Sequence, residues 1–211
     1  MRSVSPVRLA NLVFCGILLL SLSSLAQSPA TISLPTPQTT GGLPLMQALQ
    51  KRHTTRAFAD QPLTSQQLSN LLWAAFGVNR PPNLKPGLGR TAPSAMNKQE
   101  VELHVLLADG IYVYDAAQNR LRLTVAGDQR AKISPPAAAR AAVTIVYVAD
   151  IQMDFAQVDT GFIAQNVYLF AASEGLNAWF YTLHDKDVAT KLELPAGRKP
   201  LYAQSVGFPP H

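Results

Sequence analysis

Two rhythms of apolar positions run along the chain, separated by stretches rich in proline, glycine and small polar residues. Leu45, Met46 and Leu49 follow Pro44 at helical spacing and predict a first helix that reaches Arg52. Thr64 with Gln67 has the form of a capping box, and Leu68, Leu71, Leu72, Ala75 and Phe76 mark one face of a second helix ending near Gly77. Asn79 to Gly89 holds Pro81, Pro82, Pro86, Gly87 and Gly89, too many breakers for a regular element, and predicts a long loop. After a polar stretch from Arg90 to Gln99, the segments Val101 to Leu107, Ile111 to Tyr114 and Leu121 to Val125 read as strands, with a hairpin turn at Asp115 to Asn119. Arg120, Arg122 and Thr124 alternate with Leu121, Leu123 and Val125, so one face of that hairpin is wet. Val143 to Ala149 is apolar throughout, as in a strand covered on both faces. Phe162, Ile163, Val167, Phe170 and Ala171 recur at helical spacing between Asp159 and a capping Gly175, which predicts a central helix. Asn177 to Leu183 is strand-like, Asp185 is placed to cap a short helix through Leu192, and Tyr202 to Gly207 closes the pattern as a strand. Helices and strands mix without regular alternation or internal repeat, which favours an α+β sandwich over a doubly wound sheet.

The two ends of the pattern are different in kind. Met1 to Ala26 has a positive n-region with Arg2 and Arg8, an apolar run from Leu9 to Leu22, and small residues at Ser24 to Ala26, the form of a cleavable export signal. The run contains Asn11 and serines and is short for a membrane span, so no stable span is expected after cleavage. Gln27 to Gly42 has no apolar period and reads as a flexible leader or a surface arm, leaving one domain from Leu43 to His211. Composition agrees: 211 residues, 47% hydrophobic and 15% charged, suit one compact domain. Loss of Arg2 and Arg8 lowers the formal charge from +5 to +3, and no basic stripe with interleaved aromatics is present, so nucleic acid is not an expected partner. Cys15, the only cysteine, leaves with the signal, which excludes disulfides, a thiol nucleophile and a thiolate metal site in the mature chain.

Chemistry concentrates in Arg52-His53-Thr54-Thr55-Arg56. Guanidinium groups grip phosphate through paired charge-assisted hydrogen bonds, and threonine hydroxyls add neutral donors. A basic helix end that merely complements the helix dipole and stays solvated explains the same five residues equally well. His104 within a strand reads as packed, His184 near Asp185 and Asp187 is weak ground for a metal, and Tyr112, Tyr114, Trp179, Phe180 and Tyr181 read first as strand packing.

With the elements placed, three motifs carry a resemblance to the nitroreductase family, flavin-dependent oxidoreductases that bind FMN at a homodimer interface. Arg52 to Arg56, followed by Ala57-Phe58, matches the family's basic R-x-S/T-x-R pattern. Ala92-Pro93-Ser94-Ala95-Met96-Asn97-Lys98-Gln99 matches its P-S-x-x-N-x-Q loop, and Gly161 to Leu176, with Gln165-Asn166, matches its central dimer helix. The run Leu71 to Gly77 and the hairpin Gly110 to Asp115 are most similar to the branch containing the SagB-type peptide-azoline dehydrogenases. The resemblance covers about Leu43 to Pro209 and implies an α+β three-layer sandwich: a central mixed, mainly antiparallel sheet flanked by helices, in an intertwined homodimer.

It also implies a site. Arg52, His53 and Thr54 would cradle the FMN phosphate, with Arg56 near the pyrimidine edge, where a cation stabilises the reduced flavin. Pro93, Ser94, Ala95 and Asn97 would reach the FMN of the partner subunit, with Gln165 and Thr182 completing the site. Hydride transfer at the flavin N5 needs no protein acid or base, and no catalytic side chain is assigned. Thr182-Leu183 departs from the acidic or glycine-containing turn of many relatives, and the C-terminal basic contact to phosphate is lost or replaced by Arg198 or Lys199. The expected function is an exported, periplasmic or secreted FMN-dependent oxidoreductase acting on a small molecule. The alternative is a redox-inactive protein that keeps the fold and binds another small ligand. Arg2 and Arg8 are not adjacent, so the signal lacks the twin arginines of folded, cofactor-loaded export. N-terminal sequencing of the exported protein is expected to start at Gln27; a start at Met1 would contradict cleavage.

Overall fold

The computed structural model describes residues 30–80, 89–150 and 152–210. The expected export signal and most of the proline-rich loop lie outside them.

The elements in chain order are β1 (Thr31–Ser33), α1 (Leu45–Lys51), α2 (Ser65–Phe76), β2 (Val78–Arg80), β3 (Gly89–Arg90), β4 (Glu102–Leu107), β5 (Gly110–Asp115) and β6 (Arg120–Ala126). They continue with α3 (Arg130–Ile133), β7 (Val143–Asp150), α4 (Ala156–Glu174), β8 (Asn177–Thr182), α5 (Val188–Lys191) and β9 (Arg198–Gly207). Seven strands form one sheet in the order β1-β6-β5-β4-β7-β9-β8, and β2 pairs with β3 in a separate ribbon. Every pairing among the described residues is antiparallel.

Two apolar layers cover the sheet. On one face α2 and α4 pack through Leu71, Leu72, Ile163 and Val167 against Val105, Ile145, Tyr147 and Ala178. On the other, Ile133 of α3, Val188 of α5 and Leu192 close over Leu106, Val146, Val148 and Tyr181. The result is the expected α+β three-layer arrangement, with β7 buried along both faces except at Asp150. The Thr64 capping box forms as predicted, its hydroxyl accepting from Gln67 N–H, and Gly175 ends α4 in the left-handed region at φ 70°.

Departures from the pattern have local causes. Thr31–Ser33 lies exposed along β6 as an edge strand, too short to carry a period, and Pro35 behind it accepts from Ser69 and Asn119. Asn79, Arg80 and Gly89, expected in the loop, belong to the β2–β3 ribbon. β9 begins at Arg198 rather than Tyr202, because a register shift between Tyr147 and Val148 admits Pro200 into the ladder. Asp185 does not cap α5 directly; it accepts from the N–H of Asp187, the residue preceding the helix, and pairs with Lys191.

Helix α4 is apolar on more than one side, so periodicity alone does not fix which side faces inward. Its inner face is Ala156, Asp159, Thr160, Ile163, Ala164, Val167 and Ala171. Phe162, one of the apolar positions that predict the helix, is 43% exposed and shares an outward stripe with Phe155 and Val158. A buried polar link fixes the choice: Tyr147 Oη donates to Gln204 Oε1 at 2.6 Å, and Gln204 Nε2 donates to the Ala164 carbonyl at 3.3 Å. Burial pushes the Tyr147 phenol well above its ordinary value, so it stays protonated and remains the donor. Tyr147→Phe strands a buried amide oxygen and is expected to destabilise the fold by about 1–3 kcal/mol in denaturant unfolding; an unchanged midpoint would contradict the link.

Candidate functional site

The basic cluster follows α1 and runs along the free edge of the sheet. Thr55 N–H donates to the Ala178 carbonyl at 3.0 Å, Asn177 Nδ2 donates to the Ala57 carbonyl at 2.7 Å, and Ala59 N–H donates to the Phe208 carbonyl at 2.9 Å. These bonds pin the segment beside β8, the last strand of the sheet. Phe58 then turns into the core.

Within that segment the two arginines stand on aromatic rings. Arg52 Cζ lies 5.5 Å from the Tyr168 ring centroid, and Arg56 Cζ lies 5.3 Å from that of Trp179. Tyr168 packs with the α4 layer and Trp179 with the opposite one, so the guanidiniums flank the sheet edge from different sides. Neither makes an ion pair among the described residues, whereas Arg120, Arg130 and Arg198 each hold a carboxylate. Thr54 Oγ1 meets Tyr168 Oη at 3.0 Å, and His53 Nδ1 donates to the Lys51 carbonyl at 2.6 Å. Thr55 Oγ1 is buried without a partner among the described residues. The arrangement is two unneutralised cations and an exposed hydroxyl held at a rigid edge, a donor set that suits an anion.

The second predicted segment lies over the start of α4. Ser94 Oγ accepts from Gln99 N–H at 2.8 Å and donates to Glu100 Oε2 at 3.2 Å. Ala95 N–H donates to Asp159 Oδ2 at 2.9 Å. Asp159 is 1% exposed in the first helical turn, where the helix dipole favours its negative charge. Asn97 Oδ1 accepts from Gln99 at 2.8 Å, and the residue is exposed. Met96, Asn97 and Gln99 adopt φ of 52°, 56° and 53°, a run of left-handed non-glycine residues that only a tightly bonded loop sustains. Pro93 at its start is exposed.

Of the remaining residues, Gln165 and Thr182 lie at the margin of the Arg52 cluster, while Arg198 and His104 lie away from it. Gln165 is exposed on α4 one turn before Tyr168. Thr182, exposed at the end of β8, bonds to His184 at 3.3 Å and lies about 7 Å along the strand from Phe180, whose N–H donates to Tyr168. Within one chain Arg198 pairs with Glu102 at 2.6 Å, and the β8–β9 register sets it about 25 Å from Ala178. His104 is packed at 4% exposure, 3.5 Å from Glu102.

Asp159, which holds the loop, and Tyr168, which holds Thr54, are separated by about 14 Å of α4. One chain therefore carries the two donor groups at different ends of one helix. A cavity of about 600 Å³ between the N-terminal arm, α1, α2 and α4 contains none of the predicted residues. Its one charged lining group is Glu174, which disfavours an anion there. Of the residues that position each half, Asp159 lies outside the sequence motifs and Tyr168 lies inside the third without being marked by it; tertiary contact reveals their roles.

The Nitroreductase family model matches residues 49–208, which spans both donor groups, α4 and the whole sheet except β1. The chain belongs to the nitroreductase family. A nitroreductase-type protein of Methanocaldococcus jannaschii is 29% identical over 186 residues, covering 74% of this chain and 91% of that one. A nitroreductase-type crystal structure from Ralstonia eutropha JMP134 superposes with a TM-score of 0.79 at 35% identity, covering 87% of this chain and 94% of that one. The FMN-dependent nitroreductase of Clostridium difficile R20291, at a TM-score of 0.55 and 19% identity over 79% of this chain and 88% of that one, shares the fold. Nitroreductase-family membership makes oxidoreductase chemistry the family-level function and gives the edge cluster its setting.

Asp159→Ala is expected to free the Ala95 amide. Hydrogen exchange at Ala95 should accelerate relative to Leu72, with a stability loss of about 1–3 kcal/mol. Unchanged protection at Ala95 would contradict the anchoring.

Proposed function

We propose that the protein is an exported FMN-dependent oxidoreductase that works as a homodimer. The observation that carries this reading is the pair of guanidiniums, Arg52 and Arg56, that hold no carboxylate among the described residues and stand beside Thr54 on the sheet edge. Arg52, His53 and Thr54 would hold the FMN phosphate and Arg56 the pyrimidine edge, with Thr182 and Gln165 at the margins. When bound, FMN supplies a hydride acceptor and donor. The chain's residues bind it, orient it and balance its charge, and no side-chain acid or base is required of them.

The placement of the two donor groups supports a homodimer. Phe155, Val158 and Phe162 line the outward side of α4, and Leu45, Met46 and Leu49 are exposed on α1, a large apolar surface for one soluble chain. Packing this surface on a second copy about a two-fold axis would bring Pro93, Ser94, Ala95 and Asn97 of one chain to the Arg52 cluster of the other. Export favours substrate oxidation, or an electron donor other than a pyridine nucleotide, and the SagB-like stretches point in the same direction.

Protein isolated from its native compartment is expected to show a flavin spectrum, and Arg52→Ala is expected to weaken FMN binding roughly tenfold or more by loss of a charged hydrogen bond. Absence of flavin together with no retention of added FMN would sink the reading and leave the fold as a binder of another small ligand.

A further inference from the structure

We propose, resting on the phosphate site assigned above, that Tyr168 is a positioning residue whose hydroxyl relays the Phe180 backbone N–H to Thr54 and fixes Thr54 as a donor toward the ligand's anionic group, while its ring holds Arg52.

The polarity of the relay follows from counting protons. β8 is an edge strand, so the Phe180 N–H has no neighbouring strand on its outer side. It donates to Tyr168 Oη at 2.8 Å instead. A phenol has one proton and spare acceptor capacity. With Phe180 donating to it, Tyr168 Oη needs an acceptor for its own proton, and among the described residues Thr54 Oγ1, at 3.0 Å, provides it. Thr54 then accepts from Tyr168, and its remaining proton turns to the exposed side, where Arg52 also lies. Each bond in such a chain polarises the next, which makes the terminal hydroxyl a better donor than an isolated threonine. A threonine without this relay donates or accepts with equal ease; with it, the site favours an acceptor such as a phosphate oxygen.

A tyrosine that only capped the edge strand would need the Phe180 bond alone. Tyr168 also touches both groups that would grip the phosphate. The assignment concerns binding and orientation and places no proton in the redox step.

The test compares FMN with riboflavin, which lacks the phosphate, by fluorescence titration of the apo protein. The variants are Tyr168→Phe, Thr54→Val, their double and Thr54→Ser. Each of Tyr168→Phe and Thr54→Val is expected to weaken FMN binding roughly tenfold. Riboflavin affinity should move by less than about twofold, and the double variant should lose no more than the worse single variant, as coupled members of one unit do. Thr54→Ser, which keeps the hydroxyl, should retain FMN. Circular dichroism checks folding; Thr54→Val preserves the Phe180–Tyr168 bond and carries the test if Tyr168→Phe does not fold. Additive losses in the double, equal losses for FMN and riboflavin, or unchanged FMN affinity in Thr54→Val would overturn the relay alone. A wild-type protein that binds no FMN would overturn the phosphate site and the relay with it.

Discussion

The seating of α4 on the sheet is the constraint on which the rest depends. Ile163 and Val167 are fully buried beneath it, and burial of each such side chain contributes about 1.5–3 kcal/mol. Apolar burial is not directional, however, and a helix with apolar residues on several sides has more than one way to lie down. The Tyr147–Gln204–Ala164 link removes that freedom. Rotating the helix would take the Ala164 carbonyl away from the buried Gln204 amide N–H that donates to it. Once α4 is fixed, its first turn presents Asp159 to the Pro93 to Asn97 loop and its later turns present Tyr168 to Thr54.

The free edge of the sheet supplies the second half of the logic. Unpaired strand edges are a hazard that proteins cover or charge. Here β8 is covered by the segment after α1 and by a tyrosine hydroxyl, so the same bonds that satisfy the strand also hold the basic cluster. Arg52 and Arg56 keep their charge available because aromatic faces, not carboxylates, support them. Other arginines are held differently: Arg130 and Arg198 pair with Asp128 and Glu102, and Arg90 donates to the Phe76 carbonyl and Gln99 while lying over the Phe76 ring. The placement of Arg52 and Arg56 on aromatic rings along the sheet edge supports the proposed binding cluster over a solvated helix end, a choice the five residues alone leave open.

Much of this was legible in the chain. The Thr64–Gln67 box, the apolar run of β7 and the glycine after α4 depend on local sequence, and each forms as the pattern predicts. The orientation of α4 was not legible, because Phe162 and Ile163 are equally apolar and only Gln204, distant in sequence, decides between them. The N-terminal arm hid β1 because a short exposed edge strand needs no alternation. The donor residues themselves stood out as motifs. Tyr168 and Asp159 did not, since a residue that works by holding another has no spacing rule of its own.

The central claim is that the site is shared, Arg52 and its neighbours from one subunit meeting the Pro93 to Asn97 loop of the other. Subunit complementation tests it most directly: Arg52→Ala chains are co-expressed with Asn97→Asp chains, and the purified heterodimer is titrated with FMN. Each homodimer should bind poorly, whereas the heterodimer should regain one intact site per dimer, because both lesions fall in the other site. A heterodimer that binds no better than either homodimer would contradict a site built across the two chains.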